Sequence, residues 1–345
     1  MGQGAYILAP AGPVLTADET AFFRDAAPFG FILFQRNCVT PDQLRRLTSD
    51  LRGAVGRDVP ILIDQEGGRV QRMRAPHWRE WMPPLDQVAA FSGSENGPEN
   101  ASFSATRAMY LRGRLIGGEL FAHGIDANCA PSADIAYPET HAFLKNRCYG
   151  ADCETVTAMA RACADGLADA GCLPVLKHAP GHGRATLDSH EAVPRIPAPL
   201  GALEGTDFAA FRALSDLPMV MTAHIVLADL DPDQPVTLSA TAIRYLRDRL
   251  GLTQLMMTDD ISMGALSGTV ADRAVAALAA GCDVILHCNG ELDEMQSLAA
   301  AAGRLSESAA ERADIAVSAR RPPTDIDIQA AEAEFTALMN GASHA

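Results

Sequence analysis

The chain has 345 residues, 28 basic against 43 acidic side chains, and a formal net charge of −15 at neutral pH. A hydrophobic content of 48% supports a packed core and excludes a wholly disordered chain. The acidic balance argues against general nucleic-acid binding, because phosphates would meet net repulsion.

No stretch approaches the roughly 20 apolar residues of a membrane span. The opening Met1-Gly2-Gln3-Gly4-Ala5 carries neither a basic n-region nor a long apolar h-region, so no secretory leader is expected there. Eight cysteines (38, 129, 148, 153, 163, 172, 282 and 288) include no Cys-x-x-Cys pair, and several sit in apolar runs. Buried, reduced thiols in a cytoplasmic protein are the expectation.

Taken in chain order, short apolar runs occur at 5–8, 30–34, 60–64, 125–130, 173–178, 218–222, 254–258 and 282–287. They lack polar alternation, which suits strands buried on both faces. Helical patterns fall between them. Thr40-Pro41 is a cap followed by proline at the first helical position, opening a helix over 42–55. On that helix Leu44, Leu47 and Leu51 make one apolar stripe. Further helices are predicted near 101–122 and at 154–170, 201–215, 240–250 and 270–280. Ser239 caps the fifth of these helices, and glycines 171, 251 and 281 close three of them.

Eight strands alternating with helices predict an α/β fold, a single (β/α)8 barrel, over residues 1–300. Residues 301–345 are expected to form a helical extension, packed on or trailing from the barrel and ending in a frayed tail. No Gly-x-Gly-x-x-Gly turn follows the first strand, which removes the usual dinucleotide-binding alternative.

In a barrel of this kind chemistry sits at the C-terminal ends of the strands. The third predicted strand ends in Asp64 and continues to Arg72. Asp134 and Arg147 follow the fourth, and Lys177-His178 closes the fifth. The sixth ends at His224, and the seventh runs into Asp259-Asp260. So many charges at equivalent ends are costly to desolvate unless used or paired. Asp64 and Arg72 read either as ligand-binding groups or as a structural ion pair, and His224 either as a pocket group or as a packed, hydrogen-bonded rim residue. Gly67 and Gly68 read as turn residues.

Side chains alternate along a strand, so of Asp259 and Asp260 one faces the pocket and the other ties down a loop or caps a helix. A pocket-facing aspartate serves as nucleophile, base or metal ligand. Asp188 and His190, two apart in a Gly-rich loop, supply a carboxylate able to orient an imidazole. His178 and His182 have i, i+4 spacing. Pro180, Gly181 and Gly183 forbid the helix that would make them a zinc pair, so no metal and no cofactor is expected.

The segments Ile63–Arg72, Lys177–Gly183, Asp188–His190 and Thr258–Met263 together resemble glycoside hydrolase family 3, in particular bacterial β-N-acetylhexosaminidases of peptidoglycan recycling. The likeness spans about residues 5–290 and implies a (β/α)8 barrel. It implies Asp259 as nucleophile, His190 as general acid/base and Asp188 as the group that orients His190. Asp64, Arg72, Arg147, Lys177 and His178 match positions that hold the terminal sugar, with Asp134 in the same pocket. Ala179 stands where phenylalanine is usual, Cys148 where serine is common, and Gln254 where glycine precedes the seventh strand.

The expected reaction is retaining removal of terminal N-acetylglucosamine from muropeptide fragments through a covalent glycosyl-enzyme. The alternatives are a phosphorylase on the same fold, a metal-dependent barrel hydrolase and a catalytically silent sugar-binding barrel. The expected partner is a small sugar substrate, without nucleic acid or membrane; the sequence leaves the oligomeric state open, with a monomer favoured.

Overall fold

The computed structural model describes residues 2–93, 98–187, 193–264 and 266–343. Among them, eight parallel strands close a barrel in chain order. They are β1 (Gly4–Leu8), β2 (Pro28–Leu33), β3 (Ile61–Ile63), β4 (Ala127–Asn128), β5 (Leu173–Ala179), β6 (Met219–Thr222), β7 (Leu255–Asp260) and β8 (Val284–His287). All eight fall on the apolar runs read from the sequence. β1 pairs with both β8 and β2, which closes the ring.

The runs are apolar throughout because each strand has two dry faces. Leu62, Val175, Leu255 and Met257 fill the barrel interior, whereas Ile61, Ile63, Leu176 and Met256 face the surrounding helices. This alternation positions the chemistry. Asp64 continues the interior row of Leu62, Lys177 that of Val175, and Asp259 that of Leu255 and Met257.

The surrounding helices are α1 (Ala17–Ala26), α2 (Pro41–Val55), α3 (Pro98–Phe121), α4 (Cys153–Asp169), α5 (Leu200–Glu204), α6 (Asp207–Ala213), α7 (Ala240–Asp248), α8 (Val270–Ala280), α9 (Leu292–Ala302), α10 (Glu307–Ser318) and α11 (Ile328–Ser343). Thr40 and Ser239 cap α2 and α7 as expected, accepting the N–H groups of Gln43 and Ala242. Gly113 of α3 and Gly166 of α4 let those helices touch. A Cβ on either would lie within 2.3 Å of the opposing backbone.

One expectation is corrected. The single helix predicted over 201–215 breaks into α5 and α6, because buried Asp207 is held by Arg184 (2.7 Å), Tyr137 (3.0 Å) and Thr206 (2.8 Å). The helical extension expected after residue 300 is present over 307–318 and 328–343. Its last helix, α11, packs rather than trails: it lies on α3, with Phe335 edge-on to Trp81 at 5.5 Å and Arg107 paired to Glu334. No helix among the described residues is long and apolar enough to cross a membrane.

Candidate active site

A pocket of about 120 Å³ opens at the C-terminal end of the strands, lined by Asp64, Arg72, Arg147, Lys177, His178, His182, Asp259 and Asp260. Ile32, Met221 and Leu286 also line it and belong to the barrel strands. It therefore ends blind on the barrel core.

After β3 the chain turns back as an antiparallel hairpin, in which Gln65 pairs with Gln71 and Gly67 with Val70. Gly67 and Gly68 take φ of 104° and 58°, the turn chemistry expected of them. A Cβ on Gly67 would also strike the Arg112 guanidinium. Gln65 Oε1 accepts the N–H groups of Arg72 and Met73, at 2.9 and 3.1 Å. The hairpin thereby folds Arg72 back onto Asp64, 2.9 Å away. Arg112, fully buried on α3, anchors the hairpin from behind through the carbonyls of Glu66 and Met82.

The charged groups form one connected cluster. Lys177 Nζ lies 2.8 Å from Asp64 and 2.6 Å from Glu66. Glu66 also takes a two-pronged contact from Arg147, at 2.8 and 3.0 Å. The Arg147 guanidinium donates toward His178 Nε2 (3.3 Å), and His178 Nδ1 donates to Asp134 (2.7 Å). The Lys177–His178 peptide is cis, and both side chains line the pocket.

Burial alone would raise the Asp64 and Glu66 carboxyls. Lys177 and Arg72 instead hold Asp64 well below the usual carboxylate range, and Arg147 and Lys177 bring Glu66 down to about 2. Desolvation disfavours the Lys177 ammonium, but Asp64 and Glu66 outweigh it and raise its pKa. These ions stay charged because each is paired.

Asp134 is completely buried behind His178 and is not among the pocket-lining residues. Its oxygens accept from Ser132 (3.1 Å), the His182 N–H (2.7 Å) and His178. It reaches the pocket only through the imidazole it holds.

The two adjacent aspartates divide as the strand alternation predicts. Asp260 accepts the Ser262 N–H (3.0 Å), the Ser262 hydroxyl (2.7 Å) and the Cys288 N–H (3.2 Å), tying two loops together. Asp259 points along the interior row, and its Oδ1 accepts the Asp260 N–H at 2.8 Å. Among the described residues no hydrogen bond holds its Oδ2. Burial would raise its pKa, but the rings of His178 and His224, the Asp260 N–H and Lys177 lower it below the usual carboxylate value. An ionised carboxylate with a free oxygen faces the pocket.

His224 is the packed rim residue the sequence suggested. Its Nδ1 meets the Thr237 hydroxyl at 2.8 Å, and its Nε2 donates to the Asp260 carbonyl at 3.0 Å. Asp188 and His190 lie outside the described residues. Ala179 and Cys148 are buried and are not among the pocket-lining residues. Sequence reasoning missed Glu66 as the hub joining Lys177 to Arg147. Its one available signal was that it lies two residues after Asp64. Among the described residues, no group of three His, Cys, Asp or Glu side chains could hold a metal.

A carboxylate with a free oxygen, beside a ring of paired cations and carboxylates over a blind barrel, defines a barrel hydrolase built for a polar, hydroxyl-rich ligand. Residues 17–321 match the glycosyl hydrolase family 3 N-terminal domain, and the chain belongs to that family. A β-hexosaminidase of Bordetella parapertussis is 36% identical over 291 residues, covering 83% of this chain and 80% of that protein. One from Alkalilimnicola ehrlichii is 37% identical over 292 residues, covering 83% and 81%. Among solved structures, NagZ from Neisseria gonorrhoeae in complex with N-trifluoroacetyl-D-glucosamine superposes with a TM-score of 0.83 at 28% identity, covering 100% of this chain and 98% of that one.

Proposed function

We propose that the chain is a retaining exo-β-N-acetylglucosaminidase that removes terminal N-acetylglucosamine from peptidoglycan fragments in the cytoplasm. The observation that carries this reading is the Asp259 carboxylate, with one oxygen uncommitted among the described residues, at the head of the interior row of β7 in a blind pocket. A pocket closed on the barrel core receives the end of a glycan rather than its middle. The β-hexosaminidase relatives and the N-acylglucosamine held by the gonococcal structure support the sugar's identity. The muropeptide aglycone follows from the resemblance of the motifs.

In this mechanism Asp259 attacks the anomeric carbon while His190, oriented by Asp188, protonates the departing glycosidic oxygen. A covalent glycosyl-enzyme forms, and His190 then takes a proton from the water that releases the sugar. Asp64, Arg72, Lys177, Arg147 and His178 hold the ring. Their mutual ion pairs fix the side chains before substrate arrives, so little orientation is lost at the moment of reaction. Asp134 acts through His178.

Turnover of an aryl β-N-acetylglucosaminide by wild type, Asp259→Asn and His190→Ala tests the reading. Loss of turnover is expected for Asp259→Asn. His190→Ala should lose less on a good leaving group than on a poor one, because protonation then matters less. Equal turnover by all three proteins would end the proposal. A GlcNAc–anhydro-muropeptide offered beside chitobiose tests the aglycone, with faster release expected from the muropeptide.

A further inference from the structure

Of the imidazoles in the pocket wall, one has no assigned work. His182 begins the loop after β5, and its backbone is clamped on both sides. Its N–H donates to Asp134 at 2.7 Å, and its carbonyl accepts the Ala185 N–H at 2.9 Å. The next residue, Gly183, lies so close to Ile135 that a Cβ would sit 1.9 Å from that carbonyl oxygen. The ring is 5% exposed, lines the pocket and meets His178 edge-on at 5.8 Å. Among the described residues neither Nδ1 nor Nε2 has a hydrogen-bond partner.

The contrast with its neighbours is sharp. Both nitrogens of His178 and both of His224 are engaged by protein groups. A buried polar atom without a partner is costly and uncommon, and an imidazole carrying two is rarer still. The backbone clamps fix where the residue sits, and its buried ring lines the pocket, so the pocket is the side from which a partner can come.

We infer that His182 is a substrate-contacting residue that reads a neutral hydroxyl or amide substituent of the bound sugar. This rests on the glycosidase reading above and deepens it. Burial, then the neighbouring His178, disfavours the protonated ring more than Asp134 and Asp259 favour it, bringing its pKa down to about 4. At neutral pH it therefore offers one donor and one acceptor, the complement of a hydroxyl or an amide. The charged cluster of Asp64, Glu66, Lys177 and Arg147 has no such neutral pair to offer.

The test is a substrate series crossed with variants. Aryl β-N-acetylglucosaminide, its 3-, 4- and 6-deoxy analogues and the aryl β-glucoside that lacks the acetamido group are turned over by wild type, His182→Ala and His182→Gln. His182→Ala should lose about 10- to 100-fold in kcat/KM on the parent. It should lose less than about 3-fold on the one analogue that lacks the substituent His182 reads, while His182→Gln recovers part of the loss. The glucoside arm distinguishes an amide contact from a hydroxyl contact.

A penalty equal across the series overturns the inference, as does an unchanged kcat/KM on the parent. Thermal unfolding provides the control, with the Tm of His182→Ala expected at or above wild type because two unpartnered nitrogens are removed. A large fall in Tm would mark the ring as structural and also overturn the inference. A wild type inert toward every substrate removes the glycosidase reading and this inference with it, whereas an active wild type isolates the role of His182.

Discussion

Both ends of the barrel bury charge, but they spend it differently. At the N-terminal end Asp126 and Asp283 stand just before β4 and β8. Asp126 accepts the Ile61 N–H of β3 (2.7 Å), Arg320 (2.7 Å) and Arg52 (3.0 Å). Asp283 accepts the Met256 N–H of β7 (2.9 Å), Arg247 of α7 (2.9 Å) and a two-pronged contact from Arg312 of α10. Each carboxylate there ties a neighbouring strand to two arginines of the surrounding layer. At the C-terminal end the same kinds of ion also pair, yet among the described residues Asp259 Oδ2, Arg72 Nε and both nitrogens of His182 have no hydrogen-bond partner. A closed network stabilises the barrel, whereas an open one keeps hydrogen-bonding capacity for a ligand.

Asp259→Asn should separate the two ends most strongly. At pH 7 kcat on an aryl β-N-acetylglucosaminide should fall by about 10⁴-fold or more, with Tm close to wild type. A residual rate within tenfold of wild type would show that the open end does not work as described. The converse substitution, Asp283→Ala, leaves Arg247, Arg312 and the Met256 N–H without their shared acceptor. Denaturant unfolding should show a loss of about 3 kcal/mol, while kcat per folded molecule stays within twofold. A large fall in kcat at unchanged stability would break the division between the ends.

Glu66 sharpens the comparison, because it belongs to the active end but is itself fully paired. Its carboxyl is lowered in the folded chain from 4.5 to about 2. The stability it contributes is therefore present above its ordinary value and is lost as pH falls from about 5 through 2. That share is on the order of 3 kcal/mol, from the size of the shift. Asp64 and Asp134 are lowered too and act in the same direction. Unfolding free energies of wild type and Glu66→Gln at pH 6 and pH 3 isolate the Glu66 share, the variant being expected to show the flatter dependence. Parallel curves would show that this ion pair is not linked to folding.

The smallest effect belongs to neither end. Arg107 grips Glu334 at 2.7 and 2.8 Å, with both side chains about 40% exposed. Arg107→Ala should cost about 0.5 kcal/mol or less by denaturant titration, because solvent screens such pairs. A cost of several kcal/mol would make the seat of α11 part of the closed network.

The strands were readable because their signal is local. A strand dry on both faces must be an apolar run, and all eight were found that way. That Asp259 and Asp260 diverge was also readable, since alternation along β7 is a property of consecutive residues, whereas which of them faces the pocket followed only from the family resemblance. The cluster around Glu66 was not. Its Arg147 partner is 81 residues away, and Asp64 meets Lys177 across 113. The hairpin that makes these meetings possible depends on Arg112, which arrives from α3. In sequence His182 reads only as half of an i, i+4 histidine pair, which a segment that is not helical cannot turn into a zinc site. The unpartnered state of its nitrogens belongs to its surroundings and has no local signature.

Local pattern dictates the barrel, the strand ends that carry charge and the opposite directions of the two aspartates on β7, because these follow from periodicity and from the cost of wetting apolar surface. Tertiary structure alone decided which charges satisfy one another and which keep a free atom. Hydrogen bonding is settled by distances of about 3 Å between groups that the chain holds far apart in sequence.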